Sequence, residues 1–185
     1  MSIRYTLAFV WEVAKIVIIA LAIVVPIRTF LFQPFIVKGA SMEPNFHSGD
    51  YLVVDELSYN FRTPERGEVI IFRYPGNPSQ RYIKRVIGLP GERLEIANGT
   101  IEIYPQNSTA PLALNESAYL PGDIETSRVM SINLEADQYF VMGDNRPFSS
   151  DSRSWGPLPE DFIIGRALLK LWPLQGAGQV DAPAY

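Results

Sequence analysis

The sequence predicts a mainly β protein preceded by a single membrane-spanning helix. Three observations carry that prediction. Residues 7–27 form one apolar run; short alternating strand-like runs follow, separated by turn signals; and 15 prolines and 13 glycines leave no convincing helical period after the run. The run reads LAFVWEVAKIVIIALAIVVPI, broken only by Glu12 and Lys15. Its 21 residues make about 31 Å of helix, enough to cross the hydrocarbon layer. Glu12 and Lys15 stand three apart and can pair near the entry end, where a charge costs least. Pro26 falls at the far end, where a kink is tolerated. A cleaved leader and an interface-lying helix are the competing readings. Ala20-Leu21-Ala22 resembles a cleavage site, but more apolar residues follow it. Residues 1–32 are therefore assigned to a retained anchor.

The segment 30–37 continues apolar and reads as extended, since Pro34 disfavours helix before it. Strand candidates are Tyr51–Asp55, Glu68–Tyr74, Arg81–Gly88, Arg93–Ala97, Thr100–Tyr104, Gln138–Met142 and Arg166–Trp172. The clearest pair flanks Asn98-Gly99, where apolar and polar residues alternate on both sides of a hairpin dipeptide. Residues 105–127 read as a loop and 176–185 as a flexible tail. These elements divide the chain into an anchor (1–32), a β-rich core (33–92 and 138–175), a small β insert or cap (93–137) and the tail (176–185).

Composition excludes several functions. Net charge is −4 with no basic run, which argues against nucleic acid. Zero cysteines remove disulfides, thiolate zinc sites and a cysteine nucleophile. With one histidine, a metal site would rest almost wholly on carboxylates, so no metal or cofactor is expected.

Ser41 follows an extended segment and precedes Pro44, where a strand gives way to a turn. A serine nucleophile needs a base. The choices are His47, the sole histidine, with an acid in a conventional triad, or a lysine kept neutral by burial. Lys84 sits in an alternating stretch in which Tyr82, Lys84 and Val86 share one face and Ile83, Arg85 and Ile87 the other. Read blandly, Ser41 is a loop serine and Lys84 an edge or snorkelling lysine. The stretch 142–156 crowds Asp144, Arg146, Asp151, Arg153 and several hydroxyls behind an apolar strand, as either a paired network or a polar turn.

Taken together, SMEP at 41–44, GDYLVVDELSY at 49–59, KRVIGLPGE at 84–92, GDNRxxSSDSRxWG at 143–156 and LWPL at 171–174 resemble the ordered motifs of the type I signal peptidases. The resemblance spans most of residues 28–173. It implies a β-rich catalytic core with a cap, Ser41 as nucleophile, Lys84 as general base and Ser149 bonded to the lysine. Asp144, Arg146, Asp151 and Arg153 would be the ionic support, and Val37 and Ile83 would line pockets for small substrate residues. It further implies an exported preprotein as substrate, cut after a small-X-small site and docked by strand addition between residues 35–40 and 81–84. The lipid bilayer would be the other partner, with a single-pass anchor in the plasma membrane (or a thylakoid or organelle membrane), the catalytic part outside the cytoplasm, and a monomer as the default state. Gly39 stands where some members carry a serine that assists the oxyanion hole, leaving the Ser41 N–H as the assignable donor. A self-cleaving repressor-type protease is disfavoured by the apolar N-terminal run. A non-catalytic membrane-anchored β domain that binds peptides is the alternative from another class.

Overall fold

The computed structural model describes residues 3–26, 32–106, 108, 110–122, 124, 126–183 and 185. Residues 27–31, within the predicted anchor, and with them Phe30 and Leu31 of the apolar extension, lie outside the described residues. Helix α1 (Ile3–Pro26) has 24 residues. Lys15 donates to Glu12 at 2.7 Å, the pairing their spacing predicts. Large apolar side chains such as Phe9, Trp11, Ile16 and Ile18 are exposed along it. Among the described residues no helix is long and apolar enough to cross a membrane.

The remainder is mainly β. In chain order it comprises β1 (Phe32–Ile36), β2 (Tyr51–Asp55), β3 (Val69–Tyr74), β4 (Asn77–Gly88), β5 (Arg93–Ala97), β6 (Thr100–Tyr104), β7 (Leu112–Ala113), β8 (Met130–Asn133), β9 (Gln138–Met142), a one-turn helix α2 (Ser152–Trp155), β10 (Leu158–Pro159), β11 (Ile163–Trp172) and β12 (Gly178–Gln179). The larger sheet runs β1-β2-β11-β3-β4-β9-β10, with β12 added on β11. The smaller runs β7-β6-β5-β8. All pairings are antiparallel.

Alternation along the strands sorts side chains onto the two faces and so builds separate cores. Val69 and Ile71 join Val37, Met42, Phe46 and Ile83 in one cluster, directly beneath the Ser41 turn. Ile70 and Phe72, their opposite-facing neighbours, join Val86, Tyr139 and Val141 in a second. A third, around Leu94, Ile96, Ile101 and Ile103, binds the small sheet to Ile87 and Phe140 of the large one. Asn98 (φ 51°) and Gly99 (φ 80°) both take the left-handed backbone of a two-residue hairpin, with Ala97 facing Thr100 as the Asn-Gly pattern predicts.

Two expectations need amendment. Strand β7 lies inside 105–127, and Thr126 bridges to Gly99, so this stretch is tied to the small sheet. Strand β12 lies inside 176–185 and pairs with Leu169 and Lys170. Neither stretch carries an apolar period, and backbone hydrogen bonds with a few packed side chains, such as Leu114, Leu120 and Val180, hold them.

Candidate active site

Ser41 and Lys84 are 43 residues apart in sequence and in contact in space. Lys84 Nζ donates to Ser41 Oγ at 2.7 Å and to its neighbour's carbonyl, Ile83 O, at 2.8 Å. Strand β4 places the lysine. It pairs with β3 along most of its length but with β9 only from Arg85 onward, so Tyr82–Lys84 faces a cleft on its other edge. Lys84 is 3% exposed. Burial among apolar groups pulls its ammonium down from 10.5 to about 8, against the opposing pull of the Asp151 and Asp144 carboxylates. The Tyr82 ring lies 5.5 Å from Nζ.

The cleft is about 690 Å³, and Ser41, Lys84, Ile36, Ala40, Ile83 and Phe148 are among its lining residues. Segments on either side of β1's end and the free edge of β4 face each other across it. Val37 is not among the lining residues. It is 1% exposed and packs under the Ser41 turn with Ile83, its backbone paired with Gly49 and Asp50. His47 is exposed and engages Asp50 through its backbone N–H, while the Ser41 hydroxyl is held by Lys84.

The segment 143–156 forms the floor behind this pair, and the structure assigns its charged residues their partners. Asp151 and Arg153 do pair, by two side-chain bonds of 2.8 and 2.7 Å, and Asp151 also accepts from the Gly143 N–H at 3.1 Å and caps α2. Asp144, however, takes a two-bond grip from Arg85 at 2.8 and 2.7 Å, plus a bond from Asn45 at 2.8 Å. Arg146 turns the other way, to Glu116 and Thr126 of the insert. The turn between Asp144 and Arg146, closed by an N–H to carbonyl bond of 3.0 Å, sends the two side chains apart. Arg85 faces away from Lys84, as alternation predicts, and approaches it only through the Asp144 it neutralises.

Ser149 also departs from expectation. Its buried hydroxyl has no hydrogen-bond partner among the described residues, and Lys84 donates to Ser41 and Ile83. It packs instead on Gly143, where an added Cβ would fall 2.2 Å from Ser149 Oγ and 2.3 Å from the Ser41 carbonyl oxygen. Only glycine admits that approach.

Asn145 is the positioning group that sequence reasoning missed. Its N–H donates to Ser41 O at 3.1 Å and its side-chain amide to Ala40 O at 2.9 Å, so one residue clasps both carbonyls of the serine turn. With Asp144 gripping Arg85, two consecutive residues tether the strand of Lys84 and the turn of Ser41 to a common point. Its place beside Asp144 in the polar stretch was the available signal. Among the described residues no cluster of histidine or carboxylate side chains could hold a metal ion.

The model of the family described as signal peptidase, peptidase S26, matches residues 10–172. Three curated relatives match over most of their length. The probable signal peptidase I-2 of Synechocystis sp. is 32% identical over 90% of this chain and 75% of its own. The signal peptidase I of Leptolyngbya laminosa is 35% identical over 93% and 84%, and that of Bacillus amyloliquefaciens 36% over 91% and 89%. A serine and a buried lysine in hydrogen-bond contact, in a cleft between two strand edges, thus sit inside a matched sequence of this one family: the chain belongs to the type I signal peptidases, serine proteases of peptidase family S26.

Proposed function

We propose that this chain is a membrane-anchored endopeptidase that removes signal peptides from exported preproteins, with Ser41 as nucleophile and Lys84 as general base. The observation that carries the reading is the 2.7 Å contact between a 3%-exposed lysine and the serine hydroxyl. A base must be unprotonated to act, and the depressed lysine supplies a neutral amine near pH 8 that a free lysine, at about 10.4, would not.

In the first half-reaction Lys84 Nζ takes the Ser41 proton as Oγ attacks the carbonyl carbon of the scissile bond. The Ser41 N–H faces the developing oxyanion. Collapse breaks the C–N bond, the lysine hands its proton to the leaving amine, and the mature protein departs with a new amino terminus. In the second half Lys84 takes a proton from water, the hydroxide attacks the acyl ester, and Ser41 Oγ leaves with that proton. The substrate strand would add between residues 35–40 and the cleft edge of β4. Alanine-sized side chains would sit over Ile83, with Val37 backing it from the core. The buried pairs Asp144–Arg85, Asp151–Arg153 and Arg146–Glu116 support this arrangement from behind. Ser149, packed on Gly143, would accept from Lys84 once the lysine gives up its bond to Ser41.

The reading includes the bilayer. The apolar run 7–27 would cross the hydrocarbon layer, and lipid would cover the apolar side chains exposed along α1. A single-pass anchor places enzyme and preprotein in one membrane, which raises their effective concentration. The catalytic part then works on the extracytoplasmic face, as a monomer.

The test is cleavage of a preprotein with an Ala-X-Ala site in detergent or lipid, for wild type, Ser41→Ala and Lys84→Ala, between pH 6 and 10. Both variants should be inactive, and the wild-type rate should rise through an apparent pKa near 8. A Lys84→Ala enzyme that still cuts would sink the base assignment. A folded, inert wild type would turn the reading to a peptide-binding domain.

A further inference from the structure

The closing segment of the chain folds back over the ionic layer behind the Ser41–Lys84 pair. Gly178 and Gln179 pair with Lys170 and Leu169, and Val180 N–H donates to Leu168 O at 3.0 Å. Val180 packs on the cluster beneath the serine turn, beside Val37, Met42 and Ile83. Further along, Pro183 and Tyr185 close on Gly67, where an added Cβ would lie 2.9 Å from a carbon of each. That contact point belongs to the active-site layer: the Gly67 carbonyl accepts from Arg85 at 2.8 Å, and the Gly67 N–H donates to Val86 O at 2.8 Å.

Tyr185 then meets the insert. Its hydroxyl is 3.1 Å from that of Tyr119, and the rings pack edge to face at 6.4 Å and 88°. The Tyr119 ring in turn covers the Arg85 guanidinium at 4.1 Å. The layers therefore run Tyr185, Tyr119, Arg85, Asp144. Arg85 is the neighbour of Lys84 in β4, and Asp144 is the neighbour of Asn145, which holds the Ser41 turn. Asn45, just after that turn, donates to both Tyr119 O and Asp144 at 2.8 Å.

We propose that residues 178–183 with Tyr185 form a strap that positions the Ser41–Lys84 pair from behind, with Tyr119 and Tyr185 as positioning residues acting through Arg85 and Asp144. The proposal rests on the Ser–Lys reading above. Its physical basis is exclusion of water from the Arg85–Asp144 pair, which strengthens the grip on both tethered arms. Reacting atoms displaced by about 1 Å lose on the order of a hundredfold in rate, so a loosened grip is felt in catalysis before it is felt in binding. The substrate cleft is lined by residues other than those of the strap, and KM should be indifferent to it.

The experiment compares the full chain with a truncation lacking residues 181–185, with Tyr119→Leu, and with Tyr185→Phe, on one preprotein below each variant's melting temperature. Truncation and Tyr119→Leu should lower kcat at least tenfold with KM within twofold. Tyr185→Phe, which keeps the ring, should stay within threefold of wild type. Amide hydrogen exchange on the same proteins gives a readout that needs no activity: the Gly67 and Asn145 N–H groups should exchange faster in the truncated chain. Unchanged kcat and unchanged exchange in both truncation and Tyr119→Leu would overturn the strap. A wild type that leaves the preprotein intact would count against the protease reading alone, with exchange still deciding for or against the strap.

Discussion

Replacing Lys84 by methionine exchanges a buried amine for an apolar chain of similar length, and the structure sets how stability should respond to pH. The lysine is 3% exposed and titrates near 8, depressed chiefly by burial. Because the folded-state value lies below the unfolded one, the charged form is the one penalised. That penalty is full below about pH 8 and vanishes as pH rises past 10.5. At roughly 1.4 kcal/mol per pH unit it amounts to about 3 kcal/mol at pH 7 and about 2 kcal/mol at pH 9. The bonds from Nζ to Ser41 and Ile83 offset part of it, about 1 kcal/mol each. They are lost in the variant at either pH. The advantage of Lys84→Met over wild type should therefore be about 1 kcal/mol greater at pH 7 than at pH 9. For a chain of this length that is about 2–4 °C in Tm. Melting curves of both proteins in one detergent, at the two pH values, read it directly. A Tm difference that does not change with pH would refute the reasoning, since it would mean that Lys84 titrates as a free lysine does.

Asn145→Ala removes the side-chain bond to Ala40 O and should cut kcat about tenfold, with a Tm loss of a few degrees at most; steady-state kinetics and a melting curve separate the two. Gly143→Ala drives a methyl against the Ser41 carbonyl and Ser149 Oγ. It should abolish cleavage and cost about 2–3 kcal/mol of stability, whereas Gly122→Ala, with open space at its Cβ and no left-handed backbone, serves as the comparison for an added methyl alone. Arg146→Met leaves the half-buried Glu116 carboxylate without its cation, with the Tyr119 hydroxyl as its remaining donor, and should destabilise by about 1–3 kcal/mol in denaturant titration; adding Glu116→Gln should recover part of the loss.

The elements that carry Ser41 and Lys84 were legible because local patterns specify them. Period-two alternation placed Lys84 and Arg85 on opposite faces of β4, and Asn98-Gly99 announced the hairpin of the small sheet. The partners of the charged residues were not legible. Asp144 and Arg85 are 59 residues apart and Arg146 and Glu116 are 30, so their pairing follows from how sheets and insert pack, which no window of sequence contains. Sequence proximity offered Asp144, Arg146, Asp151 and Arg153 as one network without saying which would pair, and two of the four find their partners elsewhere. The closing segment escaped notice for a related reason. Its glycines and alanines lack an apolar period, and backbone pairing with the isolated contacts of Val180, Pro183 and Tyr185 does the holding.

Glu116 has a consequence for how far this architecture is modular. The insert looks like an exchangeable appendage, since both its ends join the core through short connections and it has its own sheet. Yet it exports one carboxylate, one hydroxyl from Thr126 and one aromatic ring from Tyr119 into the core's charged layer. A foreign insert grafted between β4 and β9 would arrive without these groups, leaving Arg146 without its carboxylate and Arg85, still gripped by Asp144, without its aromatic cover. Recombination between relatives should therefore succeed only when the insert travels together with the arginine it neutralises and the one it covers, so that the two parts are inherited as a single unit despite their separate sheets.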